Sequence, residues 1–200
     1  MNDKALSMIK VNVVVVGDAG VGKSSLVLRF TKNDFPGYSS YMLGLFPSRR
    51  ILGCKEKSVA FTISEIAGSE SFQSLFYRDA GIALILYDIC SHQSFENVEK
   101  WLSQIQQYGP QDLKCALIGN KVDLDGNERH PREVETQEGQ LFAGAHGWYF
   151  AETSARSGEG IDKVFQDMGS ALVESYKKEK ESPTVSLCDS YVYRLKKTCC

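Results

Sequence analysis

The chain has 200 residues, of which 42% are hydrophobic and 24% charged, with a formal net charge of −2 at pH 7. That length suits one α/β domain, which buries roughly 70% of the surface its unfolded chain exposes and needs no disulfide or metal to fold. The charge balance argues against nucleic-acid binding, Met1 to Lys10 holds no apolar run of signal-peptide length, and no stretch approaches the ~20 apolar residues of a membrane span.

Val11 to Val16 is β-branched except at Asn12 and ends at Gly17, the pattern of a strand buried in a parallel sheet. A helix is predicted from Lys23 to about Thr31. Residues 32–46 contain Pro36, Gly37 and Gly44, lack a clean period and read as a long loop. A hairpin follows, with arms near Arg49 to Leu52 and Ser58 to Ser64 around a turn centred on Gly53. Residues 65–81 form a second irregular stretch with one short helix, and Ile82 to Ile89 is another buried strand. The spacing of Phe95, Val98, Leu102 and Ile105 predicts a helix over Phe95 to Tyr108, capped by Ser91 or Ser94. Leu113 to Gly119 reads as a strand, Val134 to Ala145 as a helix and Trp148 to Thr153 as a strand. Ile161, Val164, Phe165, Met168, Leu172 and Val173 mark the core face of a last helix.

From Lys177 the period fades. Residues 181–200, with Pro183 and a basic end at Arg194, Lys196 and Lys197, read as a flexible tail. The six cysteines are Cys54, Cys90, Cys115, Cys188, Cys199 and Cys200; the first four have no metal-ligand spacing. Cys90 and Cys115 lie in apolar runs and read as small core residues, which points to a reducing compartment. Strands alternating with helices imply a parallel sheet covered on both faces, with the ligand site beyond the carboxyl ends of the strands.

Two motifs lie there. Gly17-Asp18-Ala19-Gly20-Val21-Gly22-Lys23-Ser24 fits G-x-x-x-x-G-K-[ST] between a strand and a helix. Its glycines let successive N–H groups converge on one point, and the following helix, with Ser25 in its first turn, adds a positive end. Lys23 would reach the β- and γ-phosphates and the Ser24 hydroxyl would bind Mg²⁺. Asn120-Lys121-Val122-Asp123 selects the base. A carboxylate at Asp123 accepts from guanine's ring N–H and exocyclic amine together, whereas adenine leaves it unpaired. Lys121 can lay its stem over the ring, and Asn120 can tie this loop to the first.

With these motifs the sequence resembles the Ras-like small GTPases, and the Rab family in particular, over roughly residues 8–178. Thr153-Ser154-Ala155 looks like the family's third guanine element, with the Ala155 N–H on the guanine carbonyl and Arg156 beside it. Phe35 matches the aromatic that packs on the base. Phe76-Tyr77-Arg78-Asp79-Ala80 is close to the Rab-typical Y-Y-R-G-A, Leu43-Gly44-Leu45-Phe46 is a degraded I-G-x-D-F segment, and Trp101-Leu102 stands where Rabs have it.

The resemblance implies a three-layer G domain at 8–178, with a six-stranded, mostly parallel sheet, one antiparallel strand and helices on both faces. Its cofactors are GTP/GDP and Mg²⁺. The tail at 179–200 ends in Cys199-Cys200, which resembles a Rab double-cysteine prenylation site and not a C-a-a-X box. Two lipid chains would anchor the protein stably, helped by the basic residues before them. The implied setting is a monomer on the cytoplasmic face of endomembranes, cycling with cytosol and regulating vesicle traffic. Effectors, an exchange factor, an activating protein and a prenylation escort would meet residues 38–80.

Three departures fall on the parts that sense and cleave the γ-phosphate. The family's Mg²⁺-ligating Thr is Met42 here. Its D-T-A-G-Q-E reads Glu65-Ile66-Ala67-Gly68-Ser69-Glu70, so Glu65 keeps the charge on an arm one methylene longer. Ser69 replaces the Gln that orients the attacking water, while Gly68 keeps its N–H for the γ-phosphate. Slow or absent hydrolysis is expected, with Lys23, Gly68 and the degenerate Ser69 as the catalytic positions. The alternative is a pseudo-GTPase whose nucleotide is structural. A P-loop kinase or ATPase is disfavoured by Asn120 to Asp123 and by the lack of a substrate-binding insertion.

Overall fold

The computed structural model describes residues 8–35, 47–66 and 73–181. Its six strands are β1 (Ile9–Gly17), β2 (Ser48–Cys54), β3 (Lys57–Glu65), β4 (Ile82–Asp88), β5 (Lys114–Asn120) and β6 (Tyr149–Thr153), in the order β2-β3-β1-β4-β5-β6. Only β2 runs antiparallel to its neighbour; β3, β1, β4, β5 and β6 pair in parallel. This is the expected mostly parallel sheet with one antiparallel strand.

Helices cover both faces because β1 is apolar on both. Val11, Val13 and Val15 pack with Leu26, Val27 and Phe30 of α1 (Lys23–Lys32) and with Val164, Phe165 and Met168 of α6 (Ile161–Glu181). Phe30 and Phe165 stack there with ring centroids 3.5 Å apart. Val14 and Val16 face the other way, toward Tyr77 of α2 (Gln73–Arg78) and Ala143 of α5 (Thr136–Ala145). With period-2 alternation both sets must be apolar, which is why Val13 to Val16 reads as a continuous run.

Four boundaries differ from those the pattern predicts. The hairpin turns at Lys55–Glu56, with Lys55 left-handed at φ 54°, and Gly53 stays in β2 opposite Ser58. Cys54 is fully buried and continues the inward alternation, which carries the strand through the glycine. The helix expected over Phe95 to Tyr108 is two, α3 (His92–Glu96) and α4 (Val98–Tyr108), meeting at Asn97. Ser91 caps α3 by accepting the Ser94 N–H at 3.3 Å, while the Ser94 hydroxyl accepts from Asp88 N at 3.0 Å and so ties this turn to β4. α5 begins at Thr136 and not at Val134, because the N–H groups of Glu133 and Val134 donate to Ile89 O at 2.8 and 3.0 Å. α6 continues to Glu181, past the boundary drawn at 178.

Candidate functional site

The phosphate-loop and base-motif residues singled out in the sequence converge at the carboxyl ends of the parallel strands, where Asp88, which was not singled out, joins them. Gly17 ends β1, Glu65 β3, Asp88 β4, Asn120 β5 and Thr153 β6. The loop after β1 turns into α1 through three glycines with positive φ, Gly17 at 140°, Gly20 at 82° and Gly22 at 97°. Gly22 is held there by its surroundings as well, since a Cβ would stand 2.3 Å from Asn120 Nδ2. The N–H groups of the first turn of α1, Lys23, Ser24 and Ser25 among them, have no partner within the helix and open into the loop.

Lys23 folds back into the same loop. Its Nζ donates to Gly17 O and Asp18 O, both at 2.7 Å. Burial lowers its pKa from the ordinary lysine value, opposed by the Glu65 carboxylate and then by Asp18. A phosphate chain would therefore meet backbone donors and a positioned ammonium. A cleft of about 290 Å³ borders the loop, lined by Asp18 to Val21 and by Asp88, Ser91 and Lys121.

Asn120 joins the loop to the segment that follows β6. It is 1% exposed, and its Nδ2 donates to Val21 O at 2.8 Å. Its Oδ1 accepts from Ala155 N at 3.1 Å and from Thr153 Oγ1 at 3.3 Å. One amide thus locks three segments that lie far apart in sequence. The Ala155 N–H, expected on a guanine carbonyl, already has this partner, so a base oxygen would share it. The Ser154 hydroxyl donates to Asp123 Oδ1 at 2.6 Å, which orients that carboxylate and leaves Oδ2 for a ligand.

Lys121 is left-handed at φ 73° and pairs with Asp88 Oδ2 at 2.5 Å. Arg29 of α1 holds the far side of the third segment, donating through Nε to Ala155 O at 3.0 Å and through Nη2 to Arg156 O at 2.6 Å. Phe35 is 40% exposed, with its N–H on Asp34 Oδ1 at 2.8 Å.

The Ser24 hydroxyl donates directly to Glu65 Oε2. Hydroxyl plus carboxylate is an all-oxygen set that suits a hard divalent cation, and the longer Glu65 arm does reach Ser24. Burial raises the Glu65 pKa, opposed by that hydrogen bond and then by the Lys23 charge. The residues present fit both a phosphate chain and Mg²⁺.

Some expectations lie outside the described residues: Met42, Leu43 to Phe46, Gly68, Ser69, Cys188, the basic tail residues and Cys199-Cys200. Of the cysteines within them, Cys54 is fully buried, and Cys90 and Cys115 are half-buried. Asp88, Arg29 and Asn97 were missed. An acid closing a buried strand beside an expected ligand loop could have flagged Asp88; Arg29 and Asn97 carry no local signal.

The profile of the Ras family matches residues 12–174. "Ras-related protein RABA1i" of Arabidopsis thaliana is 36% identical over 182 residues, which cover 88% of this chain and 82% of that protein. "Ras-related protein rab-11.1" of Caenorhabditis elegans is 38% identical over 168 residues, covering 82% of this chain and 76% of its own. "Ras-related protein RIC2" of Oryza sativa subsp. japonica is 38% identical over 159 residues, covering 78% and 71%.

Proposed function

The chain belongs to the Ras family of small GTPases as a Rab-like member, and from that membership we propose that it binds GDP and GTP at the loop from Gly17 to Ser25 and hydrolyses GTP slowly. The observation that carries the binding half is the Asn120 amide, bonded at once to Val21 O and to the Ala155 N–H. A phosphate loop and a base-reading loop so joined fit one nucleotide spanning both.

In this reading the loop N–H groups and Lys23 hold the phosphates, and the free oxygen of Asp123 accepts from guanine. Lys121 and Phe35 flank the ring, with Ser154 fixing Asp123 and Ala155 and Arg156 closing the edge. Ser24 and Glu65 would hold Mg²⁺, which when bound neutralises phosphate charge. The Asp88 partner of Lys121 keeps that ammonium at the site.

The slow-hydrolysis half rests on the sequence at Met42, Glu65 and Ser69. A short serine hydroxyl cannot reach the water that a glutamine amide orients, and loss of a positioning group removes a few orders of magnitude in rate. Intrinsic hydrolysis in Ras itself is only on the order of 10⁻⁴ per second. The test is single-turnover cleavage of bound GTP with Mg²⁺ after nucleotide exchange, with ATP as competitor. GTP that binds against excess ATP and stays largely intact is expected. Cleavage at the ordinary intrinsic rate would refute slow hydrolysis, and failure to retain guanine nucleotide would refute the binding reading.

The same reading gives a G domain at 8–178 and a tail at 179–200, with Cys199 and Cys200 geranylgeranylated. It implies attachment to the cytoplasmic face of endomembranes, cycling with cytosol, and a role in vesicle traffic. Effectors and regulators would meet residues 38–80. Loss of both terminal cysteines should release the protein to cytosol. The second reading, a pseudo-GTPase with a structural nucleotide, is favoured by Met42, which cannot contact Mg²⁺ or the γ-phosphate. Protection of residues 38–46 from hydrogen exchange only with a GTP analogue would exclude it, because a ligand shifts a loop only by contacts that differ between states.

A further inference from the structure

Asp18 is the first residue of the loop after Gly17, and its carboxylate is engaged by α4. Asn97 Nδ2 donates to Asp18 Oδ2 at 2.6 Å, and Trp101 Nε1 donates to Asp18 Oδ1 at 3.0 Å. We propose that Asn97 and Trp101 are positioning residues for nucleotide retention: they hold the Asp18 carboxylate on the α4 side of the loop, so that its charge opposes the phosphates less than it would if released. The inference rests on the reading that this loop holds a phosphate chain.

The two donors differ in how they are fixed. Trp101 is 7% exposed and packs in the core beneath α4, so its indole N–H cannot swing to another acceptor. A buried indole N–H needs a partner, and Asp18 is the one it has. Asn97 stands at the junction of α3 and α4, and the break between those helices is what brings its amide to the loop. Together the two give each carboxylate oxygen one donor, so the charge is satisfied without a cation.

The reason such a clamp matters is electrostatic. The ammonium of Lys23 lies on the carbonyl oxygen of Asp18, so the Asp18 carboxylate belongs to a residue the ammonium touches, and its charge already bears on Lys23. Released, it could turn toward Lys23, neutralise it and repel a di- or triphosphate. Held by α4, it leaves Lys23 and the loop N–H groups to face the ligand. The residue pairs are separated by 79 and 83 positions, so only the fold brings them together.

The test is the dissociation rate of fluorescent GDP from the full chain, chased with unlabelled GDP. Variants are Asn97→Ala, Trp101→Phe, their combination, and each with Asp18→Asn. The double variant should release GDP about tenfold faster or more, the loss expected for hydrogen bonds to a charged group. Adding Asp18→Asn should return the rate toward wild type, because the repelling charge is gone. Unchanged release from the double variant overturns the proposal. So does release that stays fast or quickens when Asp18→Asn is added, which is what packing alone predicts. Should Trp101→Phe fail to fold, the Asn97→Ala and Asp18→Asn pair makes the same comparison. A wild-type chain that retains no GDP instead overturns the nucleotide reading, and this inference with it.

Discussion

Substituting Gly22→Ala tests the interlock between the two loops more directly than removing either of them. Gly22 has φ 97°, and an alanine there is strained by about 1–2 kcal/mol from the left-handed backbone alone. Its Cβ would also lie 2.3 Å from Asn120 Nδ2, an atom pinned by its 2.8 Å bond to Val21 O. Moving that amide breaks the bond and leaves a buried carbonyl without a donor, a further loss of about 1–3 kcal/mol. The total is about 2–5 kcal/mol of stability, measurable by urea unfolding of nucleotide-stripped protein, so that ligand linkage does not contribute. The decisive comparison is the cycle with Asn120→Ala. That change empties the space the new methyl needs, so the double variant should be more stable than the sum of the single losses by about 1 kcal/mol or more. Additivity within about 0.5 kcal/mol, or a Gly22→Ala variant as stable as wild type, would refute the reasoning.

Three other outcomes follow from contacts away from the glycine. Arg29→Ala removes donors from Ala155 O and Arg156 O and should speed nucleotide release by about tenfold, read from the same fluorescent-GDP chase. Arg132→Met should cost about 3–5 kcal/mol in urea unfolding. It leaves the Glu152 carboxylate, which is 17% exposed and bonded to the guanidinium at 2.6 and 3.1 Å, without its cation and with only the Thr136 hydroxyl as a side-chain donor. Burial pushes the Cys115 thiol up to about 11, so between the ordinary thiol range and that value the folded chain keeps a proton the unfolded chain has released. Alkylation of Cys115, followed by peptide mapping, should therefore stay slow at pH 9 and rise only as pH approaches 11.

Much of the architecture was legible because it depends on local pattern. β1 and β4 are read from apolar runs, broken in Val11 to Val16 only at Asn12, which only a strand covered on both faces tolerates. The boundaries that slipped are those where a distant contact overrides local preference. Gly53 looks like a turn, yet the burial of Cys54 extends the strand past it. Phe95 to Tyr108 has one continuous period, yet the structure divides it at Asn97, beside a turn that Ser94 ties to Asp88 N.

The functional residues divide the same way. The sequence by itself determined the family and the loop that turns on glycines, because each is carried by short strings whose chemistry acts within a few residues. Tertiary structure alone decided that Asn120 bonds Val21, that Arg29 braces Ala155 and that Asn97, at the head of α4, engages Asp18. Those partners are 99, 126 and 79 positions apart. A side chain's donors and acceptors show what it can bond, and only the packing of the sheet and its helices determines which distant partner arrives within 3 Å.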